Sequence, residues 1–266
     1  MATWVIGDVH GCYDEFMALL KSPEIKEEDT VILIGDIIDR GPAPYKMLKW
    51  AMDNITPDGK YQMIMGNHEH GAVQDFEETV IISRSQLMQL EDVNICSLRC
   101  HYGFDVDLRD AGYESVKSAE PIFDWLAELP FYKKVTVTKP DGTLQKYVIA
   151  HAWYDESENS YTLLWQRDIE LDPCMQVCTE NGWYPDYEGE DNEILIHGHT
   201  IVCKENGYPE DAMVHFREHS INIDCGAFLK RIGGRLAAIR LEDLAFIYHD
   251  EPDICHYREA SAPTET

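Results

Sequence analysis

The chain has 266 residues, 44% of them hydrophobic, and a formal net charge of −27 at pH 7. This composition suits a globular protein with a sizeable core and excludes a chain that is disordered throughout. The acidity and the lack of a Lys/Arg stripe argue against nucleic acid as a partner, because its phosphate backbone would be repelled. An anionic substrate stays possible where bound cations outweigh the distant negative field.

The N-terminal segment Met1–Val5 has no basic flank and no long apolar stretch, so no signal peptide is predicted. No apolar run is long enough to cross a bilayer, so no membrane partner is expected. The eight cysteines form no Cys-x-x-Cys pair, although the spacings Cys96/Cys100 and Cys174/Cys178 leave a structural zinc site open. We expect reduced thiols in a cytoplasmic, monomeric protein.

The first 70 residues read as β-α-β-α-β. Apolar runs predict strands at Thr3–Ile6, Thr30–Ile34 and Tyr61–Met65. Apolar residues at helical spacing predict amphipathic helices over 12–20 and 45–55. Strands that alternate with helices in this way indicate a parallel sheet.

The middle of the chain, about 71–130, is predicted to be an ordered helical insertion near the site. One helix is expected around Ser83–Leu98, and Ser118 is expected to cap a further helix that Pro130 ends. The sequence does not indicate what this insertion contacts.

The second half is richer in strands. Runs at Phe131–Thr138 and Leu144–Ala150 flank a Pro-Asp-Gly turn and predict a hairpin. Further strands are predicted at Glu193–Ile196, Met213–Phe216, Ile221–Ile223, Arg235–Arg240 and Ala245–Tyr248. An acidic loop with aromatic residues covers 172–193, and a tail at 259–266 is expected to fray. The whole, 1–266, is predicted to be one α/β domain with two sheets.

Three short phrases carry most of the chemistry, and each follows one of the first three predicted strands. They are Gly-Asp-Val-His-Gly at 7–11, Gly-Asp-Ile-Ile-Asp-Arg-Gly at 35–41 and Gly-Asn-His-Glu at 66–69. The carboxyl ends of parallel strands meet at one edge of a sheet, where ligands bind. Carboxylates and imidazoles gathered there suggest a site for two metal ions.

Together the three phrases resemble the pattern of the calcineurin-like metallophosphoesterases, and within them the phosphoprotein phosphatase family of bacterial and phage lambda-type serine/threonine phosphatases. Two later phrases complete the pattern, Ala150-His151-Ala152 and Gly198-His199-Thr200. The resemblance implies a metallophosphoesterase-type sandwich of two mixed β-sheets flanked by helices. Met65 and Trp153 depart from the family pattern, and the bulk of Trp153 weakens any detailed inference about the substrate.

The resemblance also implies a ligand set for two divalent metal ions. Asp36 would bridge them; the other ligands would be Asp8 and His10 for the first ion and Asn67, His151 and His199 for the second. His197 competes with His199, but the Gly-His-Thr match favours His199. Mixed oxygen and nitrogen ligands suit Mn²⁺, with Fe or Zn as alternatives.

The same resemblance assigns catalytic and phosphate-binding roles. His68 would be the general acid and Asp39 would orient it, while Arg40, Asn67 and Arg167 would bind the phosphate. The implied reaction is direct attack on phosphorus by a water that bridges the two metal ions.

Three functions are compatible with these features of the sequence. The first is a serine/threonine protein phosphatase, and the alternative is a symmetrical diadenosine tetraphosphatase or related nucleotide hydrolase, with Trp183–Tyr187 as a base-stacking platform. A catalytically silent binding module is the third, against which the intact ligand set argues. The expected partner is therefore a phosphorylated protein or a small phosphoester.

Overall fold

The computed structural model describes residues 1–98, 100, 102–152, 154, 187, 189, 192–202, 213–251 and 254–258. The strands of this part of the chain are β1 (Thr3–Ile6), β2 (Thr30–Leu33), β3 (Tyr61–Met63), β4 (Tyr132–Thr138), β5 (Leu144–Ala150), β6 (Ile194–His197), β7 (His215–Phe216), β8 (Ser220–Asn222), β9 (Leu236–Arg240), β10 (Phe246–Glu251) and β11 (Ile254–Arg258). Its α-helices are α1 (Tyr13–Leu20), α2 (Pro44–Asn54), α3 (Asn67–Ser85), α4 (Phe104–Asp110) and α5 (Val116–Ala127).

The strands form two mixed sheets. The first has the order β11-β10-β9-β1-β2-β3 and the second the order β4-β5-β6-β8-β7. Strands β1, β2 and β3 are parallel neighbours, and so are β5, β6 and β8, whereas the remaining pairs, β11–β10, β10–β9, β9–β1, β4–β5 and β8–β7, are antiparallel. The predicted α/β fold with two mixed sheets flanked by helices is confirmed.

The first sheet is the middle layer of the described structure. In β1, Trp4 and Ile6 are buried in a cluster that includes Phe16 of α1, whereas Val5 is buried in a second cluster with Ile196 of the other sheet. Successive side chains of a strand point to opposite faces, so helices cover one face of this sheet and the second sheet covers the other. Burial on both faces explains why these strands read as continuous apolar runs.

The predicted helix over Ser83–Leu98 is wrong. The helix here is α3, which begins at Asn67 and ends at Ser85, and only short 3₁₀ turns follow at Leu90–Asp92 and Ile95–Ser97. Its buried face includes polar side chains such as His68 and Thr79. Polar residues on the buried face weaken the apolar periodicity that sequence analysis depends on.

The predicted cap of α5 is also wrong. Ser115, not Ser118, precedes this helix, and its hydroxyl oxygen accepts a hydrogen bond from the backbone N–H of Ser118 at 3.3 Å. Strand β11 was not predicted, because its segment carries a single aliphatic residue, Ile254. The predicted extent of the domain stays a prediction, and the tail at 259–266 lies outside the described residues.

Candidate metal centre

The predicted site residues lie on turns that follow strands of both sheets. The turns after β1, β2 and β3 come together because these strands are parallel neighbours in that order. His151 follows β5 and His199 follows β6, which are neighbours in the second sheet. A hydrogen bond from His151 Nδ1 to the Ile34 carbonyl oxygen, at 2.8 Å, joins the two groups of turns.

Asp36 lies at the centre of the site. Its Oδ2 atom is 3.4 Å from His10 Nε2, 3.4 Å from His151 Nε2 and 3.8 Å from His68 Nε2. All four side chains are buried. This placement suits a carboxylate shared by two ions, as predicted for Asp36.

Backbone carbonyl groups aim two of the imidazoles at Asp36. His10 Nδ1 donates to the carbonyl oxygen of Ile38 at 2.9 Å, and His151 Nδ1 donates to that of Ile34. These bonds leave the Nε2 atom of each imidazole facing Asp36 Oδ2. Metal-binding histidines are commonly oriented in this way by a hydrogen bond from the other ring nitrogen.

Asn67 lies between the two later histidines. Its Oδ1 atom is 2.9 Å from His151 Nε2 and 2.8 Å from His199 Nδ1. His197, the competing histidine, is buried with its Nδ1 3.4 Å from the carbonyl oxygen of Gly198. The structure therefore brings His199 into the cluster.

Asp8 occupies a different position from the other predicted ligands. Its carboxylate accepts a hydrogen bond from the backbone N–H of His199 at 3.1 Å. Gly198 allows this approach, since a Cβ atom there would lie 2.1 Å from Asp8 Oδ1. Asp8 thus ties the turn after β1 to the turn after β6.

The donor set fits divalent metal ions. Among the described residues, two groups offer ligand atoms that lie within 4.8 Å of one another: His10, Asp36 and His68, and Asp36, His151 and His199. Both are made of imidazole nitrogens and carboxylate oxygens, a mixture that suits first-row divalent ions. His68 stands in the first group where sequence analysis placed Asp8.

His68 and Asp39 form a close buried pair. His68 Nδ1 is 2.7 Å from Asp39 Oδ2, whereas His68 Nε2 is buried with no hydrogen-bond partner in the described structure. Burial lowers the pKa of His68 to about 4, and burial together with the Asp36 charge raises the pKa of Asp39 to about 7. Both shifts disfavour a separated ion pair, so the contact is a buried hydrogen bond between His68 and Asp39.

Arg40 lies on the exposed side of the same turn. Its guanidinium group is 4.9 Å from the centre of the Phe228 ring, and that ring also meets His10 edge to face at 5.2 Å. Phe228 had no motif around it and was not predicted. It holds the exposed cation beside the buried cluster, where a planar guanidinium can reach phosphate oxygens.

The charged groups of the centre shift one another's pKa values. Burial and the Asp224 carboxylate raise the pKa of Asp8 well above its usual range. Burial also works against the Asp36 anion, but the imidazoles of His151 and His68 outweigh it and hold the pKa of Asp36 well below the usual range. Burial opposes a charged His151, yet Asp36 raises the pKa of that imidazole to about 10. Asp36 therefore stays an anion where cations are expected.

The backbone of the site is in an unusual conformation. Eight non-glycine residues of the described structure have a positive φ, and five of them are predicted site residues: His10, Asp36, Asp39, Arg40 and His199. L-residues adopt this conformation at a cost, and it persists where surrounding contacts enforce it. Its concentration here supports the idea that these turns are shaped for function.

Glu69 completes the third motif, but sequence analysis gave it no role. Its buried carboxylate accepts backbone N–H groups from Asp36 at 2.7 Å, Ile37 at 2.9 Å and Gly66 at 3.1 Å. It therefore fastens the turn after β2 to the start of α3. The sequence signal that could have identified Glu69 was its position at the end of the Gly-Asn-His-Glu phrase.

Some predicted features lie outside the described residues. These are Arg167, Trp153, the Cys174/Cys178 pair, the tryptophan of the proposed base platform and most of the acidic loop. Tyr187 at the end of that platform is described: it is 5% exposed and donates a hydrogen bond to Glu193 at 2.9 Å. Its ring is therefore not available for stacking on a base.

Cys96 and Cys100 are described, and both have free thiols. Cys96 is exposed and Cys100 is buried, so they do not present one shared face. In the part of the chain that the structure covers, no helix is both long and apolar enough to cross a membrane.

Comparisons with known proteins found relatives of this chain. The sequence pattern of the calcineurin-like phosphoesterases matches residues 1–203. A symmetrical bis(5'-nucleosyl)-tetraphosphatase of Hamiltonella defensa is 46% identical over 71 residues, which cover 26% of this chain and 24% of that protein. The enzyme of the same name from Salmonella arizonae is 43% identical over 70 residues, again 26% and 24% of the two chains.

The matched segment thus spans about a quarter of the length of these curated relatives. Among solved structures, a metallophosphoesterase from Sphaerobacter thermophilus aligns with 98% of this chain and 89% of its own, at 14% identity and a TM-score of 0.43.

Proposed function

The chain belongs to the calcineurin-like phosphoesterase family, and from this premise we propose that it is a metal-dependent hydrolase of dinucleoside polyphosphates that cleaves diadenosine tetraphosphate symmetrically. The observation that carries the phosphoesterase assignment is the convergence of His10, His151 and His68 on one oxygen of Asp36. The dinucleotide is favoured over a phosphoprotein because the curated relatives carry that activity in their names.

Two divalent ions fit the site, and when bound they would activate a water molecule for attack on phosphorus. The first would be held by His10 and Asp36 with Asp8, and the second by Asp36, Asn67, His151 and His199. Mn²⁺ suits this mixed ligand set, with Fe or Zn as alternatives.

The remaining roles fall to side chains around the cluster. Arg40 is exposed beside the cluster and would neutralise charge on the phosphate oxygens as the reaction proceeds. Asn67 would contribute a contact to the phosphate, and Arg167 is proposed for a second phosphate contact. His68 would donate its proton from Nε2 to the leaving group, since its other nitrogen is engaged by Asp39.

A serine/threonine protein phosphatase is the second candidate. The observation that favours it is the short contact between His68 and Asp39, 2.7 Å. Alkoxides of serine and threonine are poor leaving groups that need a proton, whereas a nucleoside diphosphate leaves readily without one. A well-positioned acid is therefore more useful for a phosphoprotein substrate.

The test compares both substrates on the protein loaded with Mn²⁺. We expect a higher kcat/KM for diadenosine tetraphosphate than for a phosphothreonine peptide, with ADP as the single nucleotide product. Release of ATP and AMP would contradict symmetrical cleavage, and preference for the peptide would support the second candidate.

Matched aspartate variants connect that activity to the site. Asp36→Asn should lose both bound metal and hydrolysis, because it removes the carboxylate that both groups share. Asp53→Asn is the control, since Asp53 is an exposed residue on α2 that pairs with Lys49. We expect two ions per chain in the parent protein, and the same metal content in Asp36→Asn would contradict the proposal.

A further inference from the structure

Tyr102 lies against the catalytic end of the site but belongs to the helical insertion, not to any of the strand-end motifs. Its ring stacks on the imidazole of His68, with ring centroids 3.9 Å apart and planes inclined by 29°. Among the described residues of the insertion, Tyr102 is the one with a ring contact to His68. Tyr102 itself is 43% exposed.

The imidazole of His68 is held by three different contacts. Asp39 takes its Nδ1 atom in the plane of the ring, His10 meets it edge to face at 4.6 Å, and Tyr102 covers a face. These contacts leave Nε2 directed at the Asp36 cluster, 3.8 Å from Asp36 Oδ2. His68 is fully buried although the ring that covers it is half exposed.

Each contact restricts a different motion. A hydrogen bond through Nδ1 fixes one point of the imidazole but still permits the ring to tilt about the line to Asp39. Stacking on a flat neighbour opposes that tilt and keeps water from this hydrogen bond, which strengthens it. A small error in the direction of Nε2 is costly in a proton transfer, since the donor must lie within hydrogen-bond reach of its acceptor.

We propose that Tyr102 is a positioning residue that fixes the plane of the His68 imidazole for proton donation to the leaving group. The inference rests on the proposed role of His68 as general acid. The aromatic ring of Tyr102, not its hydroxyl group, is the part that holds the His68 imidazole in place. The Tyr102 hydroxyl also interacts with the Asn67 side chain, so the hydroxyl and the ring have to be tested separately.

The kinetic test uses two aryl phosphates on the Mn²⁺-loaded protein. Phenyl phosphate has a poor leaving group that needs a proton, and p-nitrophenyl phosphate has a good one that does not. We expect Tyr102→Ala to lower kcat for phenyl phosphate by about 10- to 100-fold, less than the roughly 10²- to 10⁴-fold for loss of a general acid because the acid itself is still present, and to change p-nitrophenyl phosphate by less than about threefold.

Two further variants make this result specific. Tyr102→Phe keeps the ring but loses the hydroxyl that interacts with Asn67, so any slowing should be equal on the two esters within about threefold, because proton donation by His68 is retained. Val106→Ala truncates an exposed side chain of the same insertion and is the control. Adding Tyr102→Ala to His68→Asn should produce no further dependence on the leaving group, because the acid that Tyr102 positions is already gone.

An NMR measurement on the protein without added metal gives a readout besides activity. The proton between His68 Nδ1 and Asp39 should exchange slowly in the parent and in Tyr102→Phe, and its signal should be lost in Tyr102→Ala. Equal slowing of the two esters by Tyr102→Ala, a change in KM alone, or an unchanged signal would each overturn the proposal. Hydrolysis of neither ester by the parent would instead refute the proposed function, while the NMR comparison would still decide whether Tyr102 holds the ring.

Discussion

Replacing Glu69 with alanine should destabilise the protein although Glu69 is not a predicted ligand. The substitution removes the acceptor of four buried backbone N–H groups: those of Asp36, Ile37 and Gly66, and that of Ile38 at the longer distance of 3.3 Å. An unsatisfied buried donor costs about 1–3 kcal/mol, so the three donors with the shorter bonds give about 3 kcal/mol at the lower end. The expected loss of folding free energy is kept at that lower end because removing Glu69 also removes a cost. Burial raises the pKa of Glu69 to about 7, so its carboxylate is unfavourable to bury in the charged form.

Urea unfolding followed by circular dichroism measures this loss. Glu78→Ala is the matched control, since Glu78 is exposed on the same helix α3; surface changes of this kind stay within about 0.5 kcal/mol. Glu69→Gln should fall between the two, because its amide keeps one acceptor oxygen but brings a donor towards the N–H groups.

Metal affinity gives a second measurement on the same variant. Glu69 holds the backbone of Asp36, so its removal should lower Mn²⁺ affinity by about 10- to 100-fold, the usual cost of losing a group that orients a ligand. If Glu69→Ala unfolds within about 0.5 kcal/mol of Glu78→Ala, the three hydrogen bonds do not support the turn and the reasoning fails.

Three further predictions concern other parts of the described structure. His68→Asn should retain bound metal but slow esters with poor leaving groups most; equal slowing of good and poor leaving groups would remove His68 from the acid role. Gly198→Ala should reduce metal content measured by mass spectrometry, because the new Cβ would lie 2.1 Å from Asp8 Oδ1; unchanged metal content would show that Asp8 need not hold this position. Alkylation at pH 8 should modify the exposed Cys96 well before Cys12, since burial raises the pKa of the Cys12 thiol to about 11. Equal labelling of these two thiols, detected by peptide mapping, would contradict the packing around α1.

The sequence was most informative where one local pattern determined both structure and placement. Apolar runs predicted β1, β2 and β3, and parallel strands in one sheet necessarily end at one edge. The turns that follow them could therefore be assigned to one site before any coordinates were known. His199 was preferred to His197 for a different reason, the match of Gly-His-Thr to the family pattern, and in the structure His197 ends β6 whereas His199 lies on the turn after it.

The sequence was least informative where a contact joins distant segments without a pattern of its own. Tyr102 lies 34 positions after His68 in a stretch with weak periodicity, and nothing in its neighbours indicates a ring contact. Helix α3 was misplaced because polar side chains such as His68 and Thr79 occupy its buried face. In both cases the requirements of the site override the hydrophobic spacing on which sequence analysis rests.

The backbone conformation of the motifs restricts which residues can occupy the candidate metal centre. Positive φ values at Asp36 and Asp39 are held by contacts between turns, such as the bond from His10 N to the Asp36 carbonyl oxygen at 2.7 Å and those to Glu69. Contacts that enforce strained turns leave little freedom to change the residues that they position. Tyr102 reaches His68 from outside these turns, on the insertion. A substitution at Tyr102 can therefore alter the position of His68 without changing the turns that carry the predicted ligands.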